Sequence, residues 1–138
     1  MDIVKNIKKN AFTLLSGALF LLALWTILIK FIFPIIYSLT YEENLTDLIL
    51  WDFWWVAHIV LAISFLNPSK FTYFFGVLIS VTEIIIVLTK LYLFFDNPLW
   101  SIWKTNWMIN KLFVLLIFII ILFTLFRRKE YLTNKTNI

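Results

Sequence analysis

Apolar residues run through this chain in long blocks, and polar residues fall between the blocks rather than alternating with them. Ala11 to Ile29 is almost unbroken hydrocarbon; Lys30 follows, then a second apolar piece, Phe31 to Leu39, interrupted by Pro34. Ile49 to Leu66, Phe71 to Phe95 and Asn106 to Phe126 repeat the pattern. A helix that crosses a bilayer needs about 17–25 predominantly apolar residues. The blocks therefore predict an all-α protein with four spans, at approximately 11–33, 49–66, 71–95 and 106–126. The expected architecture is an integral membrane four-helix bundle forming one polytopic domain over residues 1–138.

The polar stretches between the blocks set the boundaries. Met1 to Asn10 carries Lys5, Lys8 and Lys9. The run behind it is longer than the ~7–15 residues of a signal-peptide core and lacks a small-x-small cleavage site, so it is expected to be a retained helix. Lys30 is expected to snorkel at the far end of that helix, and Pro34 to bend or end it. Thr40 to Asp47 is acidic, with Glu42, Glu43 and Asp47. Asn67-Pro68-Ser69-Lys70 predicts a tight turn. Asp96-Asn97-Pro98 predicts a helix stop and then a cap with Pro98 at the first helical position, so that Leu99 to Thr105 forms a short interfacial helix before the fourth span.

Charge fixes an expected orientation. Both termini are rich in Lys and Arg, ending in Arg127-Arg128-Lys129 and a polar tail, and the second loop adds Lys70. Four spans put both termini and the second loop on one side, and the positive-inside rule makes that side, with all three basic segments, cytoplasmic. The basic triplet is expected to act as a stop-transfer anchor within reach of anionic lipid. Six of the seven tryptophans, Trp51, Trp54, Trp55, Trp100, Trp103 and Trp107, lie at or just inside the two loops placed outside. Anchoring at the headgroup level accounts for them, and so do aromatic walls of an outward-facing pocket.

Composition narrows the class further. Charged residues are 14% of the chain, against about 25% in an ordinary soluble domain. The +4 net charge sits at membrane boundaries, which argues against nucleic acid as a partner. The absence of cysteine excludes a disulfide framework and thiolate metal sites, and the single histidine makes a standard zinc site unattainable. No cofactor is expected.

The third run carries the chemistry. Glu83 lies near its middle and Lys90 near one end, seven residues apart and on one helical face. An ionisable group in hydrocarbon costs roughly 2.5–3.5 kcal/mol on insertion scales, so it is expected to face a partner or a cavity. Counting depth at 1.5 Å per residue puts His58 roughly 10–12 Å and Glu83 about 12 Å below the outer surface, with Asp52 and Lys90 within roughly one turn of it. Two cross-helix pairs are thereby expected, Glu83–His58 and Lys90–Asp52, the first being the costlier to leave unmade. Gly76 and Ser80 share the Glu83 side and permit close helix approach. In the fourth span Asn106 and Asn110 share a face, with Trp103 one turn before. The candidate binding residues are therefore Glu83, His58, Lys90, Asp52, Asn106, Asn110, Trp51, Trp55 and Trp103.

Three function classes use these groups differently. A non-enzymatic multi-pass protein would bind or support a partner protein, lipid or small ligand, or a second copy of itself, through an outer-half polar and aromatic pocket; tiny loops and no soluble domain suit it best. An oligomeric transporter or channel would use Glu83 and His58 as a proton- or ion-linked site. A small intramembrane enzyme would use them as an acid–base pair, but no second carboxylate shares their depth. The plasma (inner) membrane is the expected location. The first run, LLSGALFLLALWTILIKFIFP, resembles the first span of small four-span oxidoreductase-associated (DoxX-like) proteins in ending with Lys and Pro. That family's Arg and Gly positions are absent, so the resemblance implies no site here.

Overall fold

The structure, a computed structural model, describes residues 2–48 and 52–135. It is all-helical, with 87% of residues in helix and no strand among those described. Helix α1 spans Asp2–Ile27, a π-helical turn follows at Leu28–Ile32, and α2 covers Phe33–Tyr41. After a short α3 (Leu45–Leu48) come α4 (Trp55–Leu66), α5 (Thr72–Asp96), α6 (Ile102–Arg127) and α7 (Lys129–Lys135). Among the described residues, three helical stretches are long and apolar enough to cross a membrane: Asp2–Tyr41, Thr72–Asp96 and Lys104–Arg127.

The contacts fall into two units, Met1–Asn67 and Pro68–Ile138. In the first, α1 packs against α4. The buried α1 residues Phe12, Leu15, Ser16, Leu19 and Ala23 recur at helical spacing and make one face. Opposite them α4 buries His58, Leu61, Ala62 and Phe65. Phe12 meets Phe65 with ring centroids 5.3 Å apart, and the Ser16 hydroxyl donates to the Ala62 carbonyl at 2.8 Å. Small residues at Ser16 and Ala62 are what let the two backbones come this near.

Pro34 does not end the first helix. Its ring would clash with the carbonyl four residues back, that of Lys30. The Phe33 N–H instead bonds the Leu28 carbonyl, five residues back, and this wider turn just ahead of the proline carries the helix on to Tyr41. Forty residues of helix are roughly 60 Å long, about twice a hydrocarbon core. Glu42, with φ 57°, closes α2 in the left-handed region.

The second apolar block departs from expectation. Helix begins only at Trp55, so α4 has 12 residues and is roughly 18 Å long. Residues 52–54 are not helical, and Ile49, Leu50 and Trp51 lie outside the described residues. Asp52 causes the late start: its Oδ1 accepts the Trp54 N–H at 2.9 Å, while Val56 and Ala57 N–H bond the Phe53 and Trp54 carbonyls at 3.0 Å.

In the second unit α5 packs against α6, and α7 folds back against α5. Thr72, Gly76, Ile79, Ser80, Glu83, Val87, Leu91 and Phe94 form the buried α5 face. Val114, Phe118, Ile121 and Leu125 supply that of α6, and Leu132, 1% exposed, pins α7. Asp96 does end α5. The interfacial helix over Leu99–Thr105 is not formed: Ser101, extended at φ −142°, is the N-cap of α6 and accepts the Lys104 N–H at 3.2 Å, so residues 102–105 are that helix's first turn. A serine hydroxyl satisfies an orphan N–H, which Pro98 cannot do. Much of the exposed surface is apolar, including Leu112, Phe113, Leu116, Ile119 and Ile120 on α6.

Candidate functional site

Unit one gathers its polar and aromatic groups at the end where α1 passes into the π turn. Lys30 lies within that turn and forms an ion pair with Asp52 Oδ2. Both are partly shielded, with side chains 21% and 34% exposed. Lys30, expected to snorkel at the end of its helix, is paired with a carboxylate; the expected Lys90–Asp52 pair would join residues of different units, each described by itself. Asp52 thus holds the start of α4 with one oxygen and α1 with the other. Rings surround the pair's neighbours. Phe31 lies 5.8 Å from Phe53 and 6.5 Å, edge-on, from Trp55. The Trp55 indole N–H is buried with no hydrogen-bond partner among the described residues. One turn on, His58 is 5% exposed and edge-on to Trp54 at 6.5 Å.

Unit two carries the buried carboxylate. Glu83 is 6% exposed in the α5 face that meets α6, and Ser80, one turn before it, is fully buried. The Ser80 hydroxyl has no hydrogen-bond partner among the described residues. Three threonine hydroxyls of these helices behave differently. Thr82, Thr89 and Thr124 each donate to the carbonyl four residues back at 2.8 Å. A hydroxyl in hydrocarbon satisfies itself on its own helix in this way, because no water is at hand. Ser80 is set apart by its open capacity, and it lies on the same face as the carboxylate.

The remaining predicted residues scatter. Lys90 shares the angular arc of Glu83 but is exposed, its long side chain carrying the ammonium out of the helix contact while Leu91 fills the buried position. Asn106 is exposed and Asn110 half-buried. Trp51 lies outside the described residues, as does the side chain of Trp103. Glu83 and His58 belong to different units, each described by itself.

Aromatic groups also collect at the α5–α6 loop. Phe94 lies 5.2 Å from Trp100 and 5.8 Å from Trp107, and Phe95 is 6.4 Å from Trp100. Sequence reasoning noted the tryptophans but missed Phe31, Phe53 and Phe94, the rings that join them. Their signal was proximity to the predicted outer boundary. Lys30 was missed as a site residue for the same reason it was noticed: a cation ending an apolar run has headgroups as a sufficient partner.

Compared with known proteins, the chain matches no family model, no curated protein and no solved structure. The likeness of residues 14–34 to DoxX-like proteins therefore stands on those residues alone.

Proposed function

We propose that this is a non-enzymatic multi-pass protein of the plasma (inner) membrane, a four-helix bundle with both termini cytoplasmic. It binds or supports a partner protein, lipid or small ligand through polar and aromatic groups in its outer half. One observation carries the reading: in α5 the Ser80 hydroxyl is buried and unsatisfied one turn from the buried Glu83. A buried polar atom without a partner costs about 1–3 kcal/mol, so the position favours an occupant that supplies one. Within the same unit, the rings around Phe94 support an aromatic component for such a site. The fourth crossing in this reading is α4 completed on its outer side by the Asp52-capped segment, since α4 alone is roughly 18 Å long.

Native mass spectrometry of the full-length protein, mildly solubilised from its own membrane beside Glu83→Gln and Ser80→Ala variants, tests this. A stoichiometric protein or small molecule retained by the wild type and lost from both variants is the expected result. A bare homo-oligomer, the same in all three, overturns the reading and favours a channel or carrier. Multiple turnover of a supplied substrate that Glu83→Gln abolishes would overturn the non-enzymatic part.

A further inference from the structure

We infer that the end of unit two formed by the start of α5, the end of α6 and α7 is a docking surface for anionic phospholipid headgroups. Four cations meet there: Lys70 before α5, and Arg127, Arg128 and Lys129 where α6 passes into α7. Glu130 is the one acidic residue among the described residues of these segments. The opposite end of the same helix pair sets Asp96 against Lys104, with Lys90 and Lys111 spread one to two turns further in. Positive charge is therefore densest at the end that carries Lys70, Arg127, Arg128 and Lys129.

The cations are held in place by the fold. Lys70 Nζ lies 5.0 Å from the centroid of Phe71, Arg127 Cζ lies 5.5 Å from Phe123, and Lys129 Nζ lies 5.0 Å from Tyr73. The last contact crosses from α7 to α5, and buried Leu132 fixes α7 against the same helix. Aromatic faces hold Lys and Arg by attraction to the ring quadrupole. Rings at the headgroup level with cations upon them match a phosphodiester above an acyl chain: the apolar ring takes the glycerol and upper chain, the cation takes the phosphate. Arg127 and Arg128 also stand at the C-terminus of α6, whose dipole favours positive charge there.

This inference rests on the membrane reading, and the experiment separates the two. Full-length protein is reconstituted in equimolar phosphatidylglycerol and phosphatidylcholine, extracted gently, and its retained lipids are weighed by native mass spectrometry. Each basic residue at a membrane surface is worth about 1 kcal/mol, or about fivefold in binding. The wild type is expected to retain the anionic lipid selectively. The Arg127→Gln, Arg128→Gln, Lys129→Gln triple variant is expected to lose that preference by on the order of 100-fold. The charge-conserving triple variant Arg127→Lys, Arg128→Lys, Lys129→Arg keeps it, and Lys104→Gln leaves it unchanged. Equal retention of both lipids by the wild type, or selectivity surviving the Gln variant, overturns the inference. Flotation with pure phosphatidylcholine vesicles tests insertion separately: failure there overturns the membrane reading, whereas lost selectivity with flotation intact overturns only the lipid surface.

Discussion

Separating Lys30 from Asp52 is the sharpest perturbation the fold offers, because that contact joins α1 to the start of α4. Fully exposed ion pairs are worth about 0.2–1 kcal/mol, whereas breaking a buried pair costs about 3–5 kcal/mol. At 21% and 34% side-chain exposure this pair lies between the limits. The Asp52 exposure requires a discount for screening, which brings the interaction to about 1 kcal/mol. Asp52 also accepts the Trp54 N–H at 2.9 Å, a cap-like bond worth about 1 kcal/mol by itself. Asp52→Asn keeps an acceptor for that N–H and should cost about 1 kcal/mol; Asp52→Ala loses both contacts and should cost about 2 kcal/mol. Lys30→Met should cost about 1 kcal/mol.

Equilibrium unfolding in mixed micelles with a rising fraction of SDS, followed by tryptophan fluorescence, measures these differences. The decisive quantity is the double-mutant coupling. Lys30→Met combined with Asp52→Asn orphans neither charge, so the pair should cost about 1 kcal/mol less than the sum of the singles. The same cycle with Lys5→Met, at the other end of α1, should be additive. Additivity of the Lys30 cycle within about 0.3 kcal/mol would refute the ion pair as an energetic contact.

Three further outcomes follow from single positions. Ser16→Ala removes the bond to the Ala62 carbonyl and should cost about 0.6 kcal/mol in the same micelle titration, the mean for interhelical bonds in membranes; Ser16→Leu, which forces the helices apart, should cost at least twice that. Ser80→Ala should raise stability by about 1 kcal/mol, since it removes a buried hydroxyl that has no protein partner, and a cost above about 1.5 kcal/mol would show a bond formed from that atom. Glu42→Gly should raise stability by about 1 kcal/mol, because Glu42 is held at φ 57° where a side chain is penalised and glycine is not; unchanged or reduced stability would mean that the acidic side chain contributes what the backbone loses.

Hydropathy made the long helices legible because the requirement it reports is simple: a run must be apolar on every side to lie in lipid. The stop at Asp96 and the polar break at Asn67–Lys70 were legible for the converse reason. The start of α4 was not. Residues 49–55, ILWDFWW, have the apolar content of a helix, but Asp52 directs its carboxylate to the Trp54 N–H and opens the helix three residues later. Composition cannot weigh one capping bond against a turn of helix; an aspartate just before an apolar run was the available signal. Ser101 was overlooked in the same way, since Pro98 offered a conspicuous but weaker start. The tail past Arg128 reads as polar, and only Leu132 among its charged neighbours marked the contact that folds it back.

The pairing of Asp52 shows why a face-and-depth count finds levels better than partners. The count set Asp52 level with Lys90 and left Lys30 to the headgroups. Within unit one, chain geometry brings Lys30 to Asp52. Ser16–Ala62 and Phe12–Phe65 set α1 and α4 antiparallel, and following that register outward brings the end of α1 to the residues preceding Trp55. The π turn at Leu28–Ile32 inserts an extra residue into the helix at the same level and thereby alters where Lys30 points. Without that turn every later side chain would be offset by about 100° around the axis. Pro34 and the ion pair are therefore linked: the ring that forbids an ordinary bond to Lys30's carbonyl favours the turn from which Lys30 reaches Asp52.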